Sequence, residues 1–174
     1  MHTSVRPPLV VYGCGNILLG DDGFGPAVIA RLRAEDDLPA GVLLEDVGTG
    51  IREYLFDYLL APDLAPERLV ILDAVDFPGR RPGEVFSILP TSIPAEKIHD
   101  FSLHQFPTVN LLQELSVHTS SHVHIIAAQV ENIPDVIAPG LSPSMEAAVR
   151  EAAERVRQVI AGICPVNEYE VKVP

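Results

Sequence analysis

Apolar positions change their spacing several times along the chain, and each change predicts an element. "PPLVVYGCG" is a short apolar run closing on glycines, which predicts a buried strand over residues 9–13. Phe24, Val28 and Leu32 then recur at i, i+4 and i+8, one face of a helix. Pro26 fits that helix only in its first turn, where a missing N–H does no harm. "GVLLEDVGTG" predicts a second strand running into a glycine loop, and "IREYLFDYLL" a second helix stopped by Ala61 and Pro62. "RLVILDAVD" is apolar throughout, the pattern of a central parallel strand. "GEVFSIL" follows after a turn holding Pro78, Gly79, Pro82 and Gly83, too short for a crossover, so this strand is expected to be an antiparallel neighbour or edge. Residues 90–104 read as loop, "QFPTVNLLQELSVH" as a third helix and "SHVHIIAAQV" as a fifth strand. "LSPSMEAAVREAAERVRQVIAG" is the strongest helix signal, with Ser142 as N-cap, Pro143 at the first helical position and Gly162 at the end. Its buried stripe is expected to be Met145, Val149, Ala152, Val156, Val159 and Ile160. The last ten residues read as a loose tail.

The order β-α-β-α-β-β-α-β-α predicts a three-layer α/β/α fold with a mostly parallel five-stranded sheet and one antiparallel strand. No repeat or linker divides the chain, so residues 1–174 are expected to form a single domain. If the second and third strands flank the first, the strand order reverses there. Ligands in such sheets bind outside the strands' carboxyl ends at that reversal.

Bulk properties narrow the classes. The chain has 174 residues, 47% of them hydrophobic, enough for one sizeable core. No apolar run reaches the roughly 18 residues of a membrane span, and the first residues lack the apolar stretch of a signal peptide. Two cysteines, Cys14 and Cys164, are too few for a disulfide framework, so a cytoplasmic location is expected. A net charge of −12 argues against nucleic acid and anionic membranes as partners and suits a cationic partner or a metal ion.

The strand-end loops carry the chemistry. Asn16, Asp21 and Asp22 follow strand one; Asp46, Gly48, Thr49 and Gly50 follow strand two; Asp73 and Asp76 end strand three; His104 precedes the third helix. Carboxylates with an imidazole make a nitrogen–oxygen site for a divalent metal, and three protein ligands leave coordination positions open. A dinucleotide site competes for the same turn. "GCGNILLGDDGFG" offers Gly13 and Gly15, but Leu18 stands at the third glycine position, and Asp21 and Asp22 would repel a pyrophosphate. Asp46 is where a ribose-binding acid would sit. Bland readings exist as well. By position alone Asp22 reads as a helix N-cap, Asp73 as an acceptor of loop N–H groups, His104 as a polar loop residue and Thr49 as a turn residue. His118, His122 and His124 read as structural or surface groups. Cys14 could be a nucleophile, but no general base is identifiable beside it, so a small buried residue is expected.

The stretch "GCGNILLGDDGFG" resembles the opening of the hydrogenase maturation endopeptidases, G-x-G-N-x-L-x-x-D-[DE]-x-x-G. The resemblance continues in "EDVGTG", "LVILDAVD" and "SLHQ" and covers most of the chain. "GDDGFGP" is most similar to the maturases of deazaflavin-cofactor-reducing hydrogenases. The resemblance implies an endopeptidase that removes a short C-terminal peptide from the large-subunit precursor of a nickel–iron hydrogenase after nickel insertion. It implies Asp22, Asp73 and His104 as metal-contacting residues, and adds Asp46 as a candidate for catalysis or substrate engagement. The catalytic set is thus Asp22, Asp46, Asp73 and His104. Many relatives carry Glu where this chain has Asp22, one methylene longer. The nickel is carried by the substrate, no cofactor of the protein's own is expected, and a monomer is expected. No convincing Ser-His-Asp or Cys-His set and no H-E-x-x-H helix is present; a carboxylate could activate water, and a metal could orient the chain or polarise the scissile carbonyl. The alternatives are a nucleotide-binding α/β enzyme and a non-catalytic metal chaperone for hydrogenase assembly.

Overall fold

A computed structural model describes residues 7–35, 38–88, 90 and 108–162. Strands β1 (Leu9–Cys14), β2 (Val42–Gly48), β3 (Arg68–Val75), β4 (Val85–Ile88) and β5 (His122–Gln129) form one sheet in the order β2-β1-β3-β5-β4. The pairings β1–β2, β1–β3 and β3–β5 are parallel, and β4 lies antiparallel to β5 at the edge, as the short preceding turn predicts. Strand β1 is flanked on both sides, while β3 is the middle strand. This is the α/β architecture that the pattern predicts. The helices are α1 (Phe24–Arg33), α2 (Ile51–Leu60), α3 (Thr108–His118) and α4 (Pro143–Ile160).

The topology explains the layers. The chain steps outward from β1 to β2, then back across β1 to β3. With right-handed crossovers these opposite steps put α1 and α2 on opposite faces. One core accordingly joins Phe24, Val28, Ile29 and Leu32 of α1 to Val149, Ala152 and Val156 of α4, over Val11, Val70, Leu72 and Ile126 of the sheet. The other joins Leu55 of α2 to Leu112 and Leu115 of α3, over Val10, Tyr12, Leu69 and Ile71. Each fully buried aliphatic side chain contributes about 1.5–3 kcal/mol. Helix α4 starts as predicted: the Ser142 hydroxyl accepts the Met145 N–H at 3.2 Å, and Pro143 opens the helix. Its buried stripe includes Ala148 and Ala153 besides the expected residues, while Ile160 is only partly buried. The order reverses between β2 and β3 on either side of β1, so the carboxyl ends of β1 and β3 form the crevice where a ligand is expected.

Candidate functional site

Close packing shapes the turn after β1. Gly15 has φ +128°, and a Cβ there would stand 1.8 Å from the Asp22 carbonyl oxygen. A Cβ on Gly25 would meet the Cys14 carbonyl oxygen at 2.3 Å and that of Leu72 at 2.7 Å. These glycines therefore let the start of α1 rest directly on the ends of β1 and β3. That is a packing role and not a phosphate cradle. The Asn16 side chain accepts the Leu18 N–H at 3.0 Å, and its carbonyl accepts the Leu19 N–H at 3.0 Å. The Asn16 N–H in turn donates to Asp22 Oδ2 at 2.7 Å. Asp22 is fully buried. It is not the helix N-cap that its position suggests. A short 3-10 turn, Gly20–Gly23, intervenes, and Gly23 caps α1 without a side-chain bond.

The neighbouring Asp21 has a different environment, which sequence reasoning did not find. Its carboxylate accepts the Ser142 N–H at 2.7 Å, the Ser142 hydroxyl at 2.9 Å, the Glu131 N–H at 2.9 Å and the Asn132 N–H at 3.4 Å. These donors are 110 to 121 residues away in sequence, so no local pattern could reveal them. Asp21 ties the turn to the loop after β5 and orients the hydroxyl that caps α4.

Asp73 lies two residues before the end of β3, where the sequence pattern puts the strand's last residue, and is buried. One carboxylate oxygen accepts the Ala74 N–H at 2.9 Å. Burial, then the negative charge of Asp22, push its pKa up to about 8, against the pull of that N–H. Two carboxylates buried near each other ionise together only at high cost, so Asp73 holds a proton at neutral pH. Asp46 stands opposite Gly13 in the β1–β2 register and is exposed; its Oδ1 accepts the Gly48 N–H at 3.0 Å. The Cys14 thiol is buried, and its pKa is raised first by burial and then by Asp73, Asp46 and Asp22. The three carboxylates thus all act on the end of β1. The same field keeps the thiol protonated, which removes it as a nucleophile.

His104 lies outside the described residues, so the full predicted triad is not seen. Among the described residues alone, no group of three or more His, Cys, Asp or Glu side chains is arranged to hold a metal. The other acid and histidines have local explanations. Asp76 accepts the side-chain N–H of Gln129 at 2.9 Å, and Gln129 Oε1 accepts the Phe77 N–H at 2.9 Å. His118 lies 3.2 Å from Glu114 on the surface of α3, His122 is exposed, and His124 is buried beside Arg155.

Comparison with known proteins gives the family. Residues 26–159 match the family model described as hydrogenase maturation protease. The chain belongs to the hydrogenase maturation protease family. It is therefore a peptide hydrolase. The coenzyme F420 hydrogenase subunit delta of Methanothermobacter thermautotrophicus is 31% identical over 87% of this chain and 91% of its own length. The hydrogenase 2 maturation protease of Escherichia coli is 29% identical over 85% of this chain and 87% of its own length. The solved hydrogenase-maturating endopeptidase HybD of Escherichia coli superposes with a TM-score of 0.64, at 25% identity, over 91% of this chain and 94% of its own. No helix among the described residues is long and apolar enough to cross a membrane.

Proposed function

We propose that this endopeptidase removes the C-terminal peptide from the nickel-loaded large-subunit precursor of a nickel–iron hydrogenase, acting as a single domain over residues 1–174. The substrate's nickel is the recognition element, met by Asp22, Asp73 and His104, with Asp46 engaging the polypeptide. One observation carries the reading: two carboxylates from different strand-end segments, Asp22 and Asp73, are both buried, and burial together with the charge of Asp22 raises the Asp73 pKa. Such a pair is unfavourable when empty and favourable around a divalent cation. Oxygen donors plus an imidazole suit nickel.

The chain's own groups divide the work. Asp22 and Asp73 hold the client's metal and so fix the precursor's orientation above the sheet. Asp46, exposed on the neighbouring strand end, is free to meet the incoming chain or a water beside the scissile bond. Cys14 contributes bulk and no chemistry. The test is mass spectrometry of nickel-loaded precursor before and after incubation with this protein. Loss of a C-terminal peptide is expected; an intact precursor would sink the reading.

A further inference from the structure

Ile17 and Leu18 project from the turn after β1 with 60% and 43% of their surface exposed, and Val136 and Ile137 from the loop after β5 with 70% and 73%. The two pairs are neighbours. Leu19 bridges Ala138 in parallel, with the Ala138 N–H on the Leu18 carbonyl at 2.9 Å and the Gly20 N–H on the Ala138 carbonyl at 3.0 Å. Each exposed pair immediately precedes that bridge. Asn16 holds the first segment and buried Asp21 fastens the second, so four apolar side chains are presented on a fixed backbone. Rigid, contiguous apolar exposure of this kind marks an interaction surface.

Position and charge indicate the occupant. Ile17 and Leu18 belong to the same turn as Asp22, joined to it by the Asn16 N–H bond. The exposed pair therefore lies in the same turn as one of the carboxylates proposed to meet the client's nickel. Neither residues 13–25 nor residues 130–142 contain a lysine or arginine, while the second segment carries Glu131 and Asp135. Glu131 and Asp135 are exposed. We infer that Ile17, Leu18, Val136 and Ile137 form a docking rim for the client polypeptide, which meets it with an apolar surface bordered by Lys or Arg. This rests on the proposed function for the client's identity.

Affinity for uncleaved hydrogenase large-subunit precursor, measured by interferometry beside its cleavage rate, tests the rim. Ile17→Ser with Ile137→Ser should weaken binding about tenfold or more, the scale of a lost apolar anchor, and raise KM more than it lowers kcat. Val136→Lys should weaken binding more than Val136→Glu, because the client's border is basic. Leu60→Ser, at the exposed end of α2, should leave affinity unchanged. Unchanged affinity in the double variant, or equal effects of Lys and Glu at residue 136, would overturn the docking rim while cleavage by the unmutated protein keeps the function. A protein that self-associates through the rim, with precursor affinity unaffected by the substitutions, would also overturn it. If the unmutated protein neither binds nor cleaves precursor, both inferences fail together.

Discussion

Asp21 and Asp22 are adjacent, chemically identical and equally buried, yet their surroundings differ in kind. Asp21 faces donors: two backbone N–H groups of the loop after β5, and the N–H and hydroxyl of Ser142. Asp22 accepts the Asn16 N–H and also acts on Asp73, whose proton burial and the Asp22 charge together retain. A buried carboxylate ringed by donors is a fastening. A buried carboxylate facing another carboxylate costs stability, and that cost is relieved when a cation arrives. The pairing of these two environments in one turn shows how a fold can hold a strained site still: the fastening stabilises the turn on which the strained group sits.

The largest effect expected from breaking this comparison is on stability. Asp21→Asn replaces an acceptor with a group that is partly a donor and leaves buried N–H groups poorly met. It should cost about 3 kcal/mol, lowering the thermal midpoint by roughly 6–12 °C, as circular dichroism would show. Asp73→Asn should act in the opposite direction. In the unfolded chain Asp73 loses its proton near its ordinary 3.8, whereas the folded protein holds it to about 8. Stability therefore falls as pH rises between these values and is level above them. Asp73→Asn should be clearly more stable than the unmutated protein at pH 9, with little difference at pH 4, in urea titrations. An equal difference at both pH values would show that neither burial nor the charge of Asp22 holds a proton on Asp73.

Asp22→Glu should be milder than Asp22→Asn in a precursor-cleavage time course, because the longer acid keeps the charge. Similar rates for the two would argue against charge as the property used at that position. The smallest effect concerns a buried group away from the site. Burial, then the Arg155 guanidinium, lower the His124 pKa from 6.5. The unfolded chain gains that proton first, so stability is full above about 6.5 and falls as the pH drops through it. His124→Gln should flatten that acid-side fall by about 1 kcal/mol or less, measured between pH 5 and pH 7.

Most elements were legible because they have local causes. The continuous apolar run of β3, the i, i+4 face of α1 and the Ser142-Pro143 start of α4 all lie where the pattern predicts. Asp22 and Asp73 were legible as strand-end acids, and the order β2-β1-β3 brings their segments together as expected. The 3-10 turn that moves the α1 cap from Asp22 to Gly23 was not legible, since it depends on the Gly15 and Gly25 contacts across the sheet. Nor was the distinction between Asp21 and Asp22, which is set by the distant loop after β5. The docking rim shares that cause: Ile17 and Ile137 become neighbours only through the Leu19–Ala138 bridge.

The central claim is that Asp22 and Asp73, with His104, engage the client's nickel. The most direct measurement is the cleavage rate of nickel-loaded and nickel-free precursor, followed by mass spectrometry, for the unmutated protein, Asp73→Asn and His104→Ala. The account predicts rapid trimming of the loaded precursor by the unmutated protein alone, with both variants slower by at least about 100-fold, roughly 2.7 kcal/mol of lost transition-state stabilisation. Variants that trim loaded precursor at the unmutated rate, or an unmutated protein that trims nickel-free precursor equally well, would contradict it.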